Sequence, residues 1–452
     1  MRQFLHDFCY GSRASRNHPD RQRDRATSRA ESVSTSPATA AGMRSHSLAN
    51  SILRFAVDLY QHLSPATRNT GGSGQGSSAS TGNATGSKDG APPTAPVQDN
   101  LVFSPFAVAA ALSMTLAGAR YDTAKELASA LHVRDGDQVN QVHGQFAAQL
   151  AHIAGRALRV TFKVTNRMYV DRRYHVLEGY LAFLRDTYGD DTVRSVAFAE
   201  HHRGVRAEAN ECVARATANT VRELLAADSF GPSTVLALVT AAYFYGSWES
   251  PFQPVFTGPD EFYVDSENSV RVDMMTQMHA FSMSHCDELQ ATALEMPHLG
   301  GKTAMIVLLP DDMGGLAALE QNLTAQRLSG LLHGLRERPN VMLKLPKFVV
   351  QQSLRLRDAL GAMGVREVFS TRANLSGIFD TGSPELSNVF HGAFLEVSEQ
   401  GAESAETATD DVVGGGPGMG DITHFAVNRP FMFLIGPRGT TIFFLMGSVR
   451  RP

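Results

Sequence analysis

The sequence predicts an α+β fold, and three observations lead there. Helical and extended patterns are interleaved without the strict βαβ alternation of a parallel sheet. No internal repeat is visible, and 452 residues at 43% hydrophobic content can bury a large core. Ile52, Phe55, Ala56, Leu59, Tyr60 and Leu63 recur at helical spacing and predict a first helix over 47–63. Further helical patterns cover Val108–Ala117, Thr123–Leu131, Gln138–His152, Leu177–Tyr188, Val205–Leu225 and Leu354–Met363. Extended patterns rich in β-branched and aromatic residues cover Val160–Val170, Leu236–Tyr245, Thr303–Leu309 and Val341–Leu345. They continue at Phe394–Val397, Phe431–Ile435 and Thr441–Gly447.

Two stretches lack such patterns. Residues 1–45 carry eight Arg, no Lys and four acidic residues among many Ser and Ala, which predicts a disordered basic tail. The four acids argue against a mitochondrial transit peptide, and Phe4–Phe8 is too short and polar for the apolar core of a secretory signal. Residues 65–98 are dominated by Gly, Ser, Thr, Asn, Ala and Pro and predict a flexible insertion, tolerated because loop-closure entropy grows slowly with length.

Bulk properties exclude several functions. A net charge of −4 gives no footprint for nucleic acid. Cys9, Cys212 and Cys286 are too few and too scattered for a disulfide framework or a zinc site. No apolar run reaches the ~20 residues needed to span a bilayer. Gly300-Gly301-Lys302-Thr303 ends like a phosphate loop, but Met296 stands where that loop needs glycine, so a hairpin turn is the reading. His201-His202 lacks a further ligand at metal spacing. Asn83, Asn322 and Asn374 head glycosylation sequons, which have meaning only in a secreted chain. No motif for catalysis, metal or cofactor emerges, and none is expected.

The most informative segment is 399–430. Gly401, Ala402, Ser404, Ala405, Thr407, Ala408 and Thr409 form a run of small residues able to lie flat in a sheet. Gly414-Gly415-Gly416-Pro417-Gly418 follows and holds no regular element. Strand patterns at Val389–Val397 and Phe431–Ile435 flank the pair. A strand-competent stretch in an exposed loop beside a sheet is a stored conformational change.

The flanking strings L-S-N-V-F-H-G-A-F-L-E-V-S-E-Q-G-A-E-S-A (386–405) and F-A-V-N-R-P-F-M-F-L-I (425–435) resemble the hinge of serpins and the segment after their reactive centre. N-L-V-F-S-P-F-A-V-A-A-A-L-S-M (100–114), A-A-Y-F-Y-G-S-W-E-S-P-F (241–252) and L-K-L-P-K-F (343–348) resemble the family in serpin order. So do L-G-A-M-G-V-R-E-V-F-S (360–370), N-L-S-G-I (374–378) and F-L-M-G-S-V-R-R-P (444–452). The resemblance covers 46–452, with the insertion at 65–98 as a departure, and implies a serpin fold. That fold has three β-sheets, about eight or nine helices and an exposed reactive-centre loop, here 399–429.

The resemblance also implies a function: a serine protease inhibitor, not an enzyme, that acts as a suicide substrate. The cleaved loop enters the central sheet, and no cofactor takes part. The implied partner is a serine protease held as a covalent acyl complex, with a monomeric inhibitor and neither nucleic acid nor membrane. The family's usual setting is extracellular; the lack of a visible signal peptide leaves the cytoplasm as the alternative. Glu399, Gly401, Ala402, Glu403, Ser404, Ala405 and Glu406 match the hinge. Ser104, Pro105 and His391 match the shutter beneath the parting sheet, although Thr240 and Ala107 replace its usual Asn and Ser. Read alone, His391 is a hydrogen-bonded core histidine. Lys347 and Glu399 match a brace at the top of the sheet, and Trp248 an aromatic of the same region.

On insertion with Glu403 outward, Ala402, Ser404, Glu406, Ala408, Asp410 and Val412 face inward by the period of two. Glu406 and Asp410 do not suit burial. They and the glycine-rich loop keep open a non-inhibitory serpin, a binding module or protease substrate. Counting from the hinge puts the scissile bond at Gly415-Gly416; counting back from Pro430 puts it at Met419-Gly420. No Lys or Arg lies between Glu399 and Arg429, so the expected target is chymotrypsin-like or elastase-like, not trypsin-like.

Overall fold

The computed structural model describes residues 37–64, 100–133, 136–154, 159–382, 384–402 and 421–452. The tail 1–36, the insertion and most of the reactive-centre loop lie outside the described residues. Nine helices are present among the described residues: α1 (Pro37–Leu63), α2 (Pro105–Gly118), α3 (Tyr121–Ala130), α4 (Gly136–Ala154), α5 (Glu178–Tyr188), α6 (Phe198–Ala216), α7 (Leu316–Asn322), α8 (Ala325–His333) and α9 (Arg357–Ala362). The first strands are β1 (Leu101–Phe103), β2 (Thr161–Asp171), β3 (Val193–Val196), β4 (Leu236–Ser247), β5 (Thr257–Tyr263), β6 (Ser269–Cys286), β7 (Ala291–Pro297) and β8 (Thr303–Pro310). Then come β9 (Arg336–Pro346), β10 (Phe348–Arg355), β11 (Asn388–Val397), β12 (Gly401–Ala402), β13 (Thr423–Ala426), β14 (Phe431–Pro437) and β15 (Leu445–Val449). Residues 44–452 form one compact unit; residues 1–43 divide from it.

The predicted α+β class holds, and the strands form two hydrogen-bonded sheets. One follows the order β10-β11-β4-β2-β3, with β12 paired to β4; the other follows β1-β15-β14-β8-β7-β6-β9-β13, with β5 paired to β6. In the larger sheet, β6 joins two halves. It pairs with β9 over Met274–Met283, with a bulge between His279 and Phe281, and with β7 over Ser282–Cys286. Two hydrogen-bonded sheets thus stand where three were expected, because β6 runs through both halves of the larger one. The hairpin at 300–301 is confirmed: Gly300 (φ 89°) and Gly301 (φ 63°) connect β7 to β8.

Several boundaries differ from the periodicity, each for a local reason. The pattern over Val205–Leu225 ends at Ala216, where Ala218 (φ 51°) and Asn219 (φ 64°) turn left-handed and the Thr217 hydroxyl accepts the Val221 N–H at 3.2 Å. The helix expected from Leu354 starts at Arg357, because Leu354 and Arg355 pair with His391 and Phe390. The strand expected from Thr441 starts at Leu445. Helix α1 begins ten residues before the periodic stretch at 47.

A main core fills the space between the sheets and α1–α4. A second, smaller core lies on the other face of the β4 sheet, where Val205, Ala209 and Val213 of α6 pack on Ala237, Val239 and Ala241. Along β4, even-numbered Leu236, Leu238, Ala242 and Phe244 join the main core and odd-numbered Ala237, Val239 and Ala241 the second. The strand is buried on both faces, as its nearly continuous apolar sequence requires.

Candidate functional site

The expected site residues gather along one seam, between β4 and β11. These strands pair in parallel from Asn388↔Ala237 to Phe394↔Tyr243. Above that point both continue, to Val397 and Ser247, without pairing to each other. The chain reverses after Val397 in a turn closed by Ser398 N–H to Gly401 O (2.9 Å), Gly401 N–H to Ser398 O (3.2 Å) and the Ser398 hydroxyl to Gly401 O (2.9 Å). It comes back as β12, antiparallel to β4, with Gly401 opposite Ser247 and Ala402 opposite Gly246. The first two residues after the turn thus already occupy the start of the split.

Glycine is required at 401. Its φ is 132°, and a Cβ would stand 2.2 Å from Gly246 O and 2.6 Å from Ser247 Cα. Gly401→Ala is expected to expel β12 from the split and cost about 2 kcal/mol or more, read as a fall in denaturant midpoint. An unchanged midpoint would show that the contact yields freely.

Residues 248–252 hold the carbonyls of this turn. The Trp248 indole Nε1–H donates to Ser398 O (2.9 Å), the Trp248 N–H to Gln400 O (3.0 Å) and the Phe252 N–H to Glu399 O (2.9 Å). Trp248 is buried and stacks on His298, with ring centroids 5.0 Å apart and planes 13° from parallel. Lys347 Nζ reaches Glu399 Oε2 at 3.0 Å, with the carboxylate side chain 14% exposed and the lysine 38%. Burial raises the Glu399 pKa, but hydrogen bonding to its own backbone N–H and to Lys347 outweighs this and holds it below the usual glutamate value. Lys347→Met should cost about 1–3 kcal/mol, discounted because the ammonium is partly solvated. A loss near zero in chemical denaturation would make the pair a surface contact.

Lower on the same seam, His391 lies directly across from Thr240. Its Nε2 accepts the Ser104 N–H at 2.8 Å, so the ring proton of the neutral form sits on Nδ1. Ser104 is also the N-cap of α2, its Oγ accepting the Ala107 N–H at 3.1 Å, and Pro105 occupies the first turn, where no amide is needed. His391 is fully buried, which pushes its pKa down to about 3 against a weaker opposing contact from the Thr240 backbone. Thr240 Oγ1 is buried without a hydrogen-bond partner. Such an atom costs about 1–3 kcal/mol.

The structure therefore brings Trp248, Lys347, Glu399, Gly401 and Ala402 together at the top of the seam, and Ser104, Pro105 and His391 below. Glu403, Ser404, Ala405, Glu406 and Asp410 lie outside the described residues, as do Gly415, Gly416, Met419 and Gly420. Sequence reasoning missed His298, and Gly246, whose added Cβ would meet the His298 ring at 2.9 Å. Gly246 stands two residues before the only tryptophan, a cue for close packing. Among the described residues no cluster of His, Cys, Asp and Glu could hold a metal, and no helix is long and apolar enough to cross a membrane.

Comparison with known proteins places the chain among its relatives. A family model described as Serpin (serine protease inhibitor) matches residues 93–452. Iris of Ixodes ricinus is 40% identical over 404 residues, covering 89% of this chain and 99% of its own length. Leukocyte elastase inhibitor A of Mus musculus is 33% identical over 361 residues, covering 78% and 93%. Among solved structures, Serpin48 of the insect Tenebrio molitor superposes with a TM-score of 0.74 at 24% identity, over 90% of this chain and 98% of that one.

Proposed function

The chain belongs to the serpin family of serine protease inhibitors, and from that premise we propose that it traps its target as a suicide substrate. The protease serine attacks the scissile carbonyl of the reactive-centre loop, expels the new amino terminus and is left as an acyl-enzyme. The freed arm then adds as a strand between β4 and β11 before water can deacylate it. A displacement of even ~1 Å at the oxyanion donors slows hydrolysis by orders of magnitude.

The observation that carries this reading is β12. Its pairing with β4 and the Ser398↔Gly401 bridge to β11 can each be extended one residue for one residue. Both extensions give the same neighbours. Ser404 falls between Phe244 and Leu395, Glu406 between Ala242 and Ala393, Ala408 between Thr240 and His391, and Asp410 between Leu238 and Val389. In the closed seam Thr240 and His391 already face each other, so the two registers agree. The positions facing the main core are those that the period of two assigns inward. On this reading Glu399, Gly401 and Ala402 are the hinge, with Lys347 and Trp248 holding it. Ser104, Pro105 and His391 form the shutter, where the unpartnered Thr240 hydroxyl raises the free energy of the closed state.

The loop holds no Lys or Arg from Gln400 to Asn428, so the target is chymotrypsin-like or elastase-like, cleaving at Met419-Gly420 or Gly415-Gly416. The name of the mouse relative, leukocyte elastase inhibitor A, supports the elastase side of that choice. A second reading, a serpin that is cleaved without trapping, is favoured by Glu406 and Asp410, whose insertion neighbours are all apolar. Incubation with chymotrypsin or elastase followed by denaturing electrophoresis tests between them. A detergent-resistant band of serpin plus protease is the expected outcome; complete conversion to cleaved serpin without that band contradicts trapping.

A further inference from the structure

On the face of the β4 sheet opposite the main core, an apolar plug bridges the seam. After α6 the chain runs without regular structure, and its Val221 and Leu224 are buried in one cluster with Val239 and Ala241 of β4 and Phe390 of β11. The plug therefore rests on both strands that must part. It also sits close: a Cβ on Gly392 of β11 would meet Leu224 Cδ1 and Val221 Cγ1 at 3.2 Å. Adding a strand moves β4 and β11 apart by roughly 4.8 Å, so this cluster has to break and reform on the way.

A buried side chain of α6 holds both backbone polar groups of one plug residue. Asn210 of α6 is buried, and its amide closes both ends of a ring on Leu225: Nδ2–H donates to Leu225 O at 3.0 Å, and the Leu225 N–H donates to Oδ1 at 2.8 Å. Arg206, one turn earlier on α6, adds a third bond from Nη1 to the same carbonyl at 3.0 Å. The start of the segment carries strain instead, with Ala218 and Asn219 both left-handed. A buried amide paired with both the N–H and the C=O of one residue fixes that residue in register, whereas Arg206 reaches the carbonyl alone.

We propose that Asn210 is a positioning residue for strand insertion, a latch that keeps the plug seated over the β4–β11 seam and so sets how fast the seam opens. This rests on the loop-insertion reading. Loosening the latch lowers the barrier to parting the strands, because the plug lifts without first losing two buried hydrogen bonds.

The test is uptake of a synthetic peptide with the sequence of residues 402–412 by the full chain. Fluorescence of Trp248, the only tryptophan, follows it, since that ring touches the turn at Ser398. Asn210→Ala is expected to speed uptake about tenfold, equivalent to ~1.4 kcal/mol of barrier, and Arg206→Met about threefold; the second variant decides the matter if the first does not fold. Leu127→Ala in α3, with a comparable fall in melting temperature, should not speed uptake, which separates a latch from general loosening. Equal rates in the Asn210, Arg206 and native proteins, or equal acceleration by Leu127→Ala, overturn the latch. A native protein that gains no heat stability when its loop is cut overturns the loop-insertion reading and the latch together; one that gains it, with unchanged uptake in the variants, overturns the latch alone.

Discussion

Replacing both Glu406 and Asp410 by alanine is expected to shift the outcome of protease attack strongly from cleaved serpin to covalent complex. The reason lies in the insertion register. In the proposed register Glu406 would enter between Ala242 and Ala393, and Asp410 between Leu238 and Val389, four neighbours that are all buried at 1% exposure or less. An unpaired carboxylate in such a place costs several kcal/mol or must take up a proton. Insertion competes with deacylation, so each ~1.4 kcal/mol removed from its barrier is worth a factor of ten in that competition. Quantitative electrophoresis of complex against cleaved chain, at a fixed protease ratio, reads the change. The native protein should also trap better as pH falls toward the carboxylate range, because protonation removes the same charge. A double variant that partitions like the native chain would show that these side chains find partners or never enter the sheet.

The second large effect is acid sensitivity of the intact fold. Burial lowers the pKa of three histidines: His391 to about 3, His298 to about 3 against a weaker contact from the Thr303 backbone, and His143 to about 4. Below the ordinary histidine value of 6.5 the unfolded chain binds protons that the folded chain refuses. Stability therefore falls as pH drops from about 6.5 toward 3. Glu399 acts in the same direction at the lower end: its depressed pKa makes a contribution that is present above its ordinary value of 4.5 and lost as pH falls through the folded one. Two of the three histidines adjoin the seam, His391 across from Thr240 and His298 stacked on Trp248. Denaturant midpoints between pH 7 and 4 should fall by the equivalent of several kcal/mol, and His298→Phe should flatten the slope. A flat profile would mean that these rings charge within the fold.

How far the site was legible depended on what each residue does. Residues tied to their own neighbours in sequence were readable. Ser104-Pro105 announces a helix start and Gly300-Gly301 a hairpin. Buried strands such as β4 and β14 showed as apolar runs. What failed was set by distant contacts. The alternation in β6 is broken by a bulge and by half-exposed side chains, so its 18 residues carried no clean period. The end of α6 depends on Leu225 meeting Asn210 and on Val221 and Leu224 covering the seam, which no local pattern reveals. His298 carried no signal of its own, because its place is made by Gly246 and Trp248, both about fifty residues away. The pairing of Lys347 with Glu399 came from the family resemblance alone, since 52 residues separate them.

The measurement that reaches the central claim most directly is a pair of melting scans, before and after a single cut in the reactive-centre loop. If Gly401 and Ala402 mark the first rungs of a strand still to be added, the cut chain gains the remaining backbone hydrogen bonds and its melting temperature rises by tens of degrees. If the cut protein melts where the intact one does, or lower, the split above Phe394 is a fixed feature of the sheet, and no stored change drives inhibition.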